Sequence, residues 1–157
     1  MALVIKEWWA SSTPNAQGTY VSITGREAGL ISYLLSIAGV DPTTHLQVTA
    51  RNIVFEQGSL AGFSKKVIPL RSLSSGYFGF TKPWREAVAI TVSTFGLGLP
   101  IALLYYYLNK RLHIGVVECG GILSGMVFKR SVIEGRTISE EEGKQVIGLI
   151  EWLVNQV

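Results

Sequence analysis

Polar and apolar positions alternate along much of the chain. In "THLQVTARNIVFEQG", Leu46, Val48 and Ala50 fall on one face and His45, Gln47, Thr49 and Arg51 on the other, the period-two signature of a half-buried antiparallel strand. "TYVSITG" alternates in the same way. Beyond the turn-rich "GSLAGFSKK", the run "VIPLRSLSSGYFGF" is strand-like but interrupted by Pro69, which predicts an edge or a bulge there. "LHIGVVECGGILSGMVFK" places two β-rich arms about Cys119-Gly120-Gly121, whose glycines supply the positive φ of a tight hairpin. A β-meander is predicted. Two segments carry helical signals instead. "REAGLISYLLSIAG" reads as a short helix stopped at Gly39, with Pro42 just beyond, and it is apolar nearly all round, so something must cover it. In "TISEEEGKQVIGLIEWLVNQV", Ser139 precedes Glu142 at capping-box spacing, and Val146, Leu149, Ile150, Leu153 and Val157 recur at helical spacing. That segment is predicted to be an amphipathic C-terminal helix.

The stretch from Ala87 to Leu108, "AVAITVSTFGLGLPIALLYYYL", follows neither pattern and lacks any Lys, Arg, Asp, Glu or His. As one straight helix it would span about 33 Å, enough for a hydrocarbon core of about 30 Å. At its centre, however, Gly96, Gly98 and Pro100 gather the poorest helix formers. Lys82 and Arg85 precede the run and Lys110 and Arg111 follow it, so the positive-inside rule places both ends on the cytoplasmic side. The favoured expectation is a re-entrant membrane hairpin, Ala87 to Phe95 entering and Ile101 to Leu108 leaving, with Gly96, Gly98 and Pro100 at its turn. A single kinked crossing and a pair of soluble core elements are the alternatives. Trp84, Arg85, Tyr105, Tyr106, Tyr107, Lys110 and Arg111 would then sit at one membrane interface, where amphipathic rings and cations gather. Backbone groups at the turn need partners away from water, and neighbouring copies are expected to supply them, with Ala89, Ser93, Gly96 and Gly98 allowing close packing.

Composition points the same way. Of 157 residues, 48% are apolar and only 16% charged, with a mean hydropathy of +0.33, greasier than ordinary globular usage. The net charge of +3 is spread along the chain, which argues against nucleic acid as a partner. One cysteine, Cys119, allows neither an internal disulfide nor a cysteine metal cluster. "MALVIKEWW" has too short an apolar run for a secretory leader. Trp8 and Trp9, on this leader, suit a membrane interface, a subunit contact or packing on the chain's own domain.

"LQVTARNIVFEQGSLAGFSKKVIPLRSLSSG" resembles the start of bacterial pleckstrin-homology-like domains, through Val48, Thr49, Ile53, Gly58, Lys65, Lys66, Ile68, Pro69 and Leu70. The resemblance covers about Thr44 to Val157 outside the apolar run. It implies an α+β fold, an antiparallel sheet or barrel closed by the C-terminal helix, here carrying the inserted hairpin. The chain then divides into an arm, strand and short helix over 1–43 and the pleckstrin-homology-like domain over 44–157, interrupted at 87–108. The family's phosphoinositide pocket has no matching basic motif here.

Catalytic chemistry finds little footing. His45 and His113 stand outside any metal-ligand spacing, Asp41 precedes Pro42 in a turn, and Glu140, Glu141 and Glu142 are explained by the helix start. Glu118 and Glu134 are candidates for pairing across strands. "STFGLGLP" lacks the third glycine and the acidic partner of a dinucleotide fingerprint. Cys119 reads as a hairpin spacer. The expectation is a protein with no enzymatic activity, cofactor or metal. It would be a monotopic protein of the inner (cytoplasmic) membrane with its soluble part facing the cytoplasm. Membrane lipids are its partners, and it assembles with itself as a membrane scaffold or membrane-shaping assembly. The alternative is a single-span accessory subunit whose partners are other membrane proteins. Among the basic pairs Lys65-Lys66, Lys110-Arg111 and Lys129-Arg130, the middle one is expected to face lipid headgroups.

Overall fold

Eight strands join into one sheet in the computed structural model, which describes residues 3–27, 43–59, 62–129, 136 and 138–156. They are β1 (Leu3–Ala10), β2 (Thr19–Glu27), β3 (Thr43–Thr49), β4 (Asn52–Ser59), β5 (Gly62–Pro69), β6 (Leu73–Thr81), β7 (Arg111–Glu118) and β8 (Leu123–Lys129). Across the sheet their order is β5-β4-β3-β2-β1-β8-β7-β6. Neighbours are antiparallel except at β1 and β8, which run parallel and meet at one register pair, Leu3 opposite Phe128. That joint unites a five-stranded meander with a three-stranded one. Pro69, unable to donate to a ladder, ends the edge strand β5. Gly121 takes φ +77° in the turn between β7 and β8.

Chain connectivity forces the sheet to curl. Flat, its two edges would lie about 34 Å apart at the usual strand spacing. Yet β5 and β6 are those edges, and only the 3-10 turn Leu70–Ser72 separates them, a link that cannot exceed about 15 Å. The sheet therefore coils until its edges approach at one end. Inside the coil lie Val21, Ile23, Leu46, Val48, Ile53, Ile68, Leu70, Ile114 and Val116, all buried. Outside the ladder, Lys66 on β5 reaches Glu118 at the end of β7 at 2.5 Å and Ser124 on β8 at 2.7 Å.

The helix α3 (Glu140–Val154) packs on β6 and the 3-10 turn. Its capping box is formed: the Glu142 amide donates to Ser139 Oγ, and the Glu142 carboxylate accepts from the Ser139 amide. Gly143, Val146, Ile147, Ile150 and Leu153 are its buried face. Gly143 is there because the helix approaches β6 closely. A Cβ at this position would stand 2.2 Å from Phe78 Cε2, closer than carbon atoms ever pack. Gly143→Ala should gain about 1 kcal/mol of helix propensity but lose about 1–3 kcal/mol to overpacking. The expected outcome is a lower urea midpoint at unchanged m-value, with Phe78→Ala in the same chain relieving part of the clash.

The expected architecture is corrected at several points. No pleckstrin-homology-like barrel closes: the hydrogen bonding is that of an open mixed sheet, because β5 and β6 pair only with β4 and β7. The expected re-entrant membrane hairpin is replaced by two ten-residue helices, α1 (Trp84–Ser93) and α2 (Leu99–Leu108). Each rises only about 15 Å. Among the described residues no helix is long and apolar enough to cross a membrane. The break at Gly96 and Gly98 is where the sequence places it, but α1 starts at Trp84 and so takes Arg85 and Glu86 into its first turn. The predicted helix from Arg26 begins instead as strand, since Arg26 and Glu27 end β2; its remainder, 28–42, lies outside the described residues, as do Val157 and Glu134. The tryptophan leader is β1, an internal strand, with the Trp8 ring edge-on to Phe128 at 6.5 Å.

Candidate functional site

α1 and α2 leave the sheet after β6 and return to it at β7. They pack on each other along a seam containing Ala102, which is 2% exposed. Little else is covered. Phe95 is 97% exposed, Leu97 89% and Val92 69%, while Val88, Ile101 and Leu104 are also exposed. Both helices thus present large apolar side chains to the surroundings, on α1 beside exposed Arg85, Glu86 and Ser93; α2, apolar nearly all round, is of a kind normally buried in protein or lipid. Between the helices runs an apolar groove of about 370 Å3, lined by residues including Trp84, Val88, Thr91, Leu99, Ala102 and Tyr106.

The turn between them is self-contained. Phe95 and Gly96 take positive φ, +51° and +88°, which reverses the chain. The amides of Thr94, Phe95, Gly96, Leu97 and Leu99 donate to the carbonyls of Ile90, Val92, Thr91, Thr94 and Gly96. Gly98 donates to Thr94 Oγ1 at 2.8 Å, and that hydroxyl donates in turn to Ile90. A Cβ on Gly98 would stand 2.4 Å from Thr94 Oγ1, so glycine is required for this approach. Pro100 sits in the first turn of α2, where its missing amide costs nothing. Every donor from Thr94 to Leu99 is satisfied within the chain. Neighbouring copies are therefore not required to accept from the amides of this turn.

Aromatic and charged residues collect at the root of the pair. Trp84 and Tyr106 line the same groove. The Lys82 ammonium stands 5.0 Å from the Tyr106 ring centroid and 5.4 Å from that of Tyr107, and those two rings meet edge to face. Tyr105 is half-buried, its carbonyl accepting from the Asn109 backbone and side chain. Arg111 pairs with Glu86 at 3.3 Å. Arg85 is exposed beside them. Lys110 lies 4.1 Å from the Phe80 ring centroid and pairs with Glu140. All seven residues expected at an interface thus stand near the ends of the two helices, and the turn residues stand at their far tip. Glu86 and Glu140 were not foreseen here, and Lys82 was read only as part of the basic flank. Lys82 beside Pro83-Trp84 offered a faint cue; Glu140 was already accounted for by the helix start.

The Lys110 ammonium, through its hydrogen bond and then its charge, holds the Glu140 carboxyl below its ordinary value of 4.5. A carboxyl lowered on folding contributes stability that is present above 4.5 and is lost as pH falls through the lower folded value. Carboxyl titration by NMR should show Glu140 returning toward 4.5 in Lys110→Ala. An unmoved titration would mean the pair does not form in solution. Glu118 is lowered likewise, mainly by its hydrogen bond from Lys66. His113, 3.0 Å from Thr81 Oγ1, is lowered by burial and then by Arg111.

No match is found among protein-family models, curated proteins or solved structures. His45 Nδ1 meets Thr24 Oγ1 at 3.0 Å, Cys119 is an exposed free thiol at its hairpin, and among the described residues no three His, Cys, Asp or Glu side chains gather as a metal site.

Proposed function

We propose that this chain is a non-enzymatic monotopic membrane protein that docks its helix pair onto a lipid leaflet from the cytoplasmic side and assembles with copies of itself as a membrane scaffold. The observation that carries the reading is the helix pair, which exposes Val88, Val92, Phe95, Leu97, Ile101 and Leu104 and is ringed at its root by Trp84, Tyr105–Tyr107, Lys82, Arg85, Lys110 and Arg111. Burying a single large apolar side chain is worth about 1.5–3 kcal/mol, so leaving this group in water is costly. Aromatic rings and cations where an apolar element meets a polar body match the boundary of a bilayer.

The sheet is polarised in the same sense. β2 ends and β3 begins at the end where the helix pair leaves, as the register Thr43–Arg26, Leu3–Glu27, Leu3–Phe128, Phe128–Leu112 and Leu112–Phe80 requires. The sequence linking β2 and β3 has no charged residue from Ala28 to Val40. Phe63, 69% exposed, lies near the start of β5 at that end too. At the opposite end the links are short or polar: "SSTPNAQG", Ala50-Arg51 and the four residues Cys119-Gly120-Gly121-Ile122, of which Ile122 is apolar and exposed. Self-assembly is supported by exposed apolar side chains of the pair, which adjacent copies can share. We do not adopt the single-span alternative, since it needs a crossing helix and the described residues have none.

Flotation of the full chain with vesicles tests the reading. The protein is expected in the floating fraction and, after cross-linking on the vesicles, in a ladder of multimers. A chain that stays at the bottom of the gradient with every lipid mixture overturns membrane docking; one that floats only as a monomer overturns the scaffold.

A further inference from the structure

Beside the root of α2 the surface opens into a cleft of about 390 Å3. Its polar wall carries Lys110, Lys129 and Arg136, its floor includes Leu112 and Phe128, and Tyr107 stands at the rim. We propose that this cleft binds an anionic phospholipid, its phosphate among the three cations and its acyl chains following α2 outward; the proposal rests on the membrane reading above.

Charge supports an anion. Lys110 and Arg136 already hold Glu140 and Glu142. Half-buried Lys129 forms no hydrogen bond or ion pair with any described residue, so its charge is left for a ligand to meet. Glu140 and Glu141 also line the cleft, but neither they nor Glu142 pairs with Lys129. The helix terminus contributes little, because the Ser139–Glu142 capping box already engages the amides of Ser139 and Glu142. Apolarity supports a lipid over a free phosphate. Buried Leu112 and Phe128 give the floor nothing with which to bind a small ion, but they suit a glycerol backbone and the first methylenes. Tyr107 and Leu108, in the last turn of α2, line the same cleft. An amphiphile is the class of molecule that uses all three parts.

Vesicle partition separates the possibilities. Full-length protein is floated with phosphatidylcholine vesicles and with an equal mixture of phosphatidylcholine and phosphatidylglycerol. Lys129→Gln is expected to reduce partition onto the mixed vesicles about fivefold, the effect of one charge near an anionic leaflet, and to leave phosphatidylcholine partition unchanged. Lys129→Arg should retain wild-type binding, which also shows that the position tolerates substitution. Lys65→Gln is the control, since Lys65 lies on β5, at the far edge of the strand order, beside Glu56. Equal losses for Lys65→Gln and Lys129→Gln, or none for Lys129→Gln, overturn the cleft while flotation itself upholds docking. Lys129-dependent binding of inorganic phosphate, with no preference for anionic vesicles, assigns a soluble ligand and overturns the lipid. Failure of the wild type to float with either vesicle overturns both readings.

Discussion

Leu104→Arg should weaken partition onto vesicles about a hundredfold while leaving the thermal midpoint where it was. Leu104 is 60% exposed on α2 and belongs to no part of the buried core. Surface substitutions of this kind usually change stability by no more than about 0.5 kcal/mol. In lipid the balance differs, because an arginine within an apolar membrane helix costs about 2.5–3.5 kcal/mol, and 1.4 kcal/mol is tenfold in an equilibrium. Leu104→Ala, which removes apolar area without adding charge, should lose much less. The pair of variants therefore separates a lipid contact from a general disturbance of the fold. Wild-type flotation by Leu104→Arg would show that the helix pair is not what meets the bilayer; its exposed side chains would then have to be covered by protein, and a change in sedimentation of this variant without vesicles would identify self-association as that cover.

Local features of the fold were written where local patterns exist. Leu46 and Val48 alternate with His45 and Gln47 and do face the core from β3. Ser139 and Glu142 form the cap that their spacing predicts. Gly121 adopts the positive φ expected of the hairpin at Cys119-Gly120-Gly121. What could not be read are joints made by residues far apart in the chain. The parallel contact of β1 with β8 depends on Leu3 meeting Phe128, and neither residue's neighbours announce it. The curl follows from a short 3-10 turn between two strands that prove to be opposite edges, a fact visible only once the strand order is known. The resemblance to pleckstrin-homology-like domains supplied a closed arrangement that the hydrogen bonding does not have. At the candidate site the aromatic and basic residues were legible from composition, whereas Lys82 over Tyr106 and Arg111 beside Glu86 exist only because the chain turns back at Phe95 and Gly96.

Ile150→Ala should destabilise the whole sheet by about 2–5 kcal/mol, the range for deleting a fully buried aliphatic side chain. Ile150 is 1% exposed on the face of α3 that packs over the curled strands. Because β5 and β6 share no ladder, side-chain packing beneath α3 helps to hold those edges in place, together with the Leu70–Ser72 link and the Lys66–Glu118 pair. A small domain has only about 5–15 kcal/mol in hand, so the lost contacts are a large share of it. Trp152 offers the comparison: it is 43% exposed and its ring lies 6.0 Å from Tyr20, so Trp152→Ala should cost clearly less. Urea unfolding monitored by tryptophan fluorescence would rank the two, with an unchanged m-value showing that the same surface opens in both. The helix pair is rooted in β6 and β7 and makes its apolar surface outside the core. Vesicle partition per folded Ile150→Ala molecule should therefore match the wild type, which makes stability and membrane docking separable properties of one chain. A stable Ile150→Ala protein would refute α3 as the clasp, and a stable fold that no longer floats would mean that α3 itself takes part in docking.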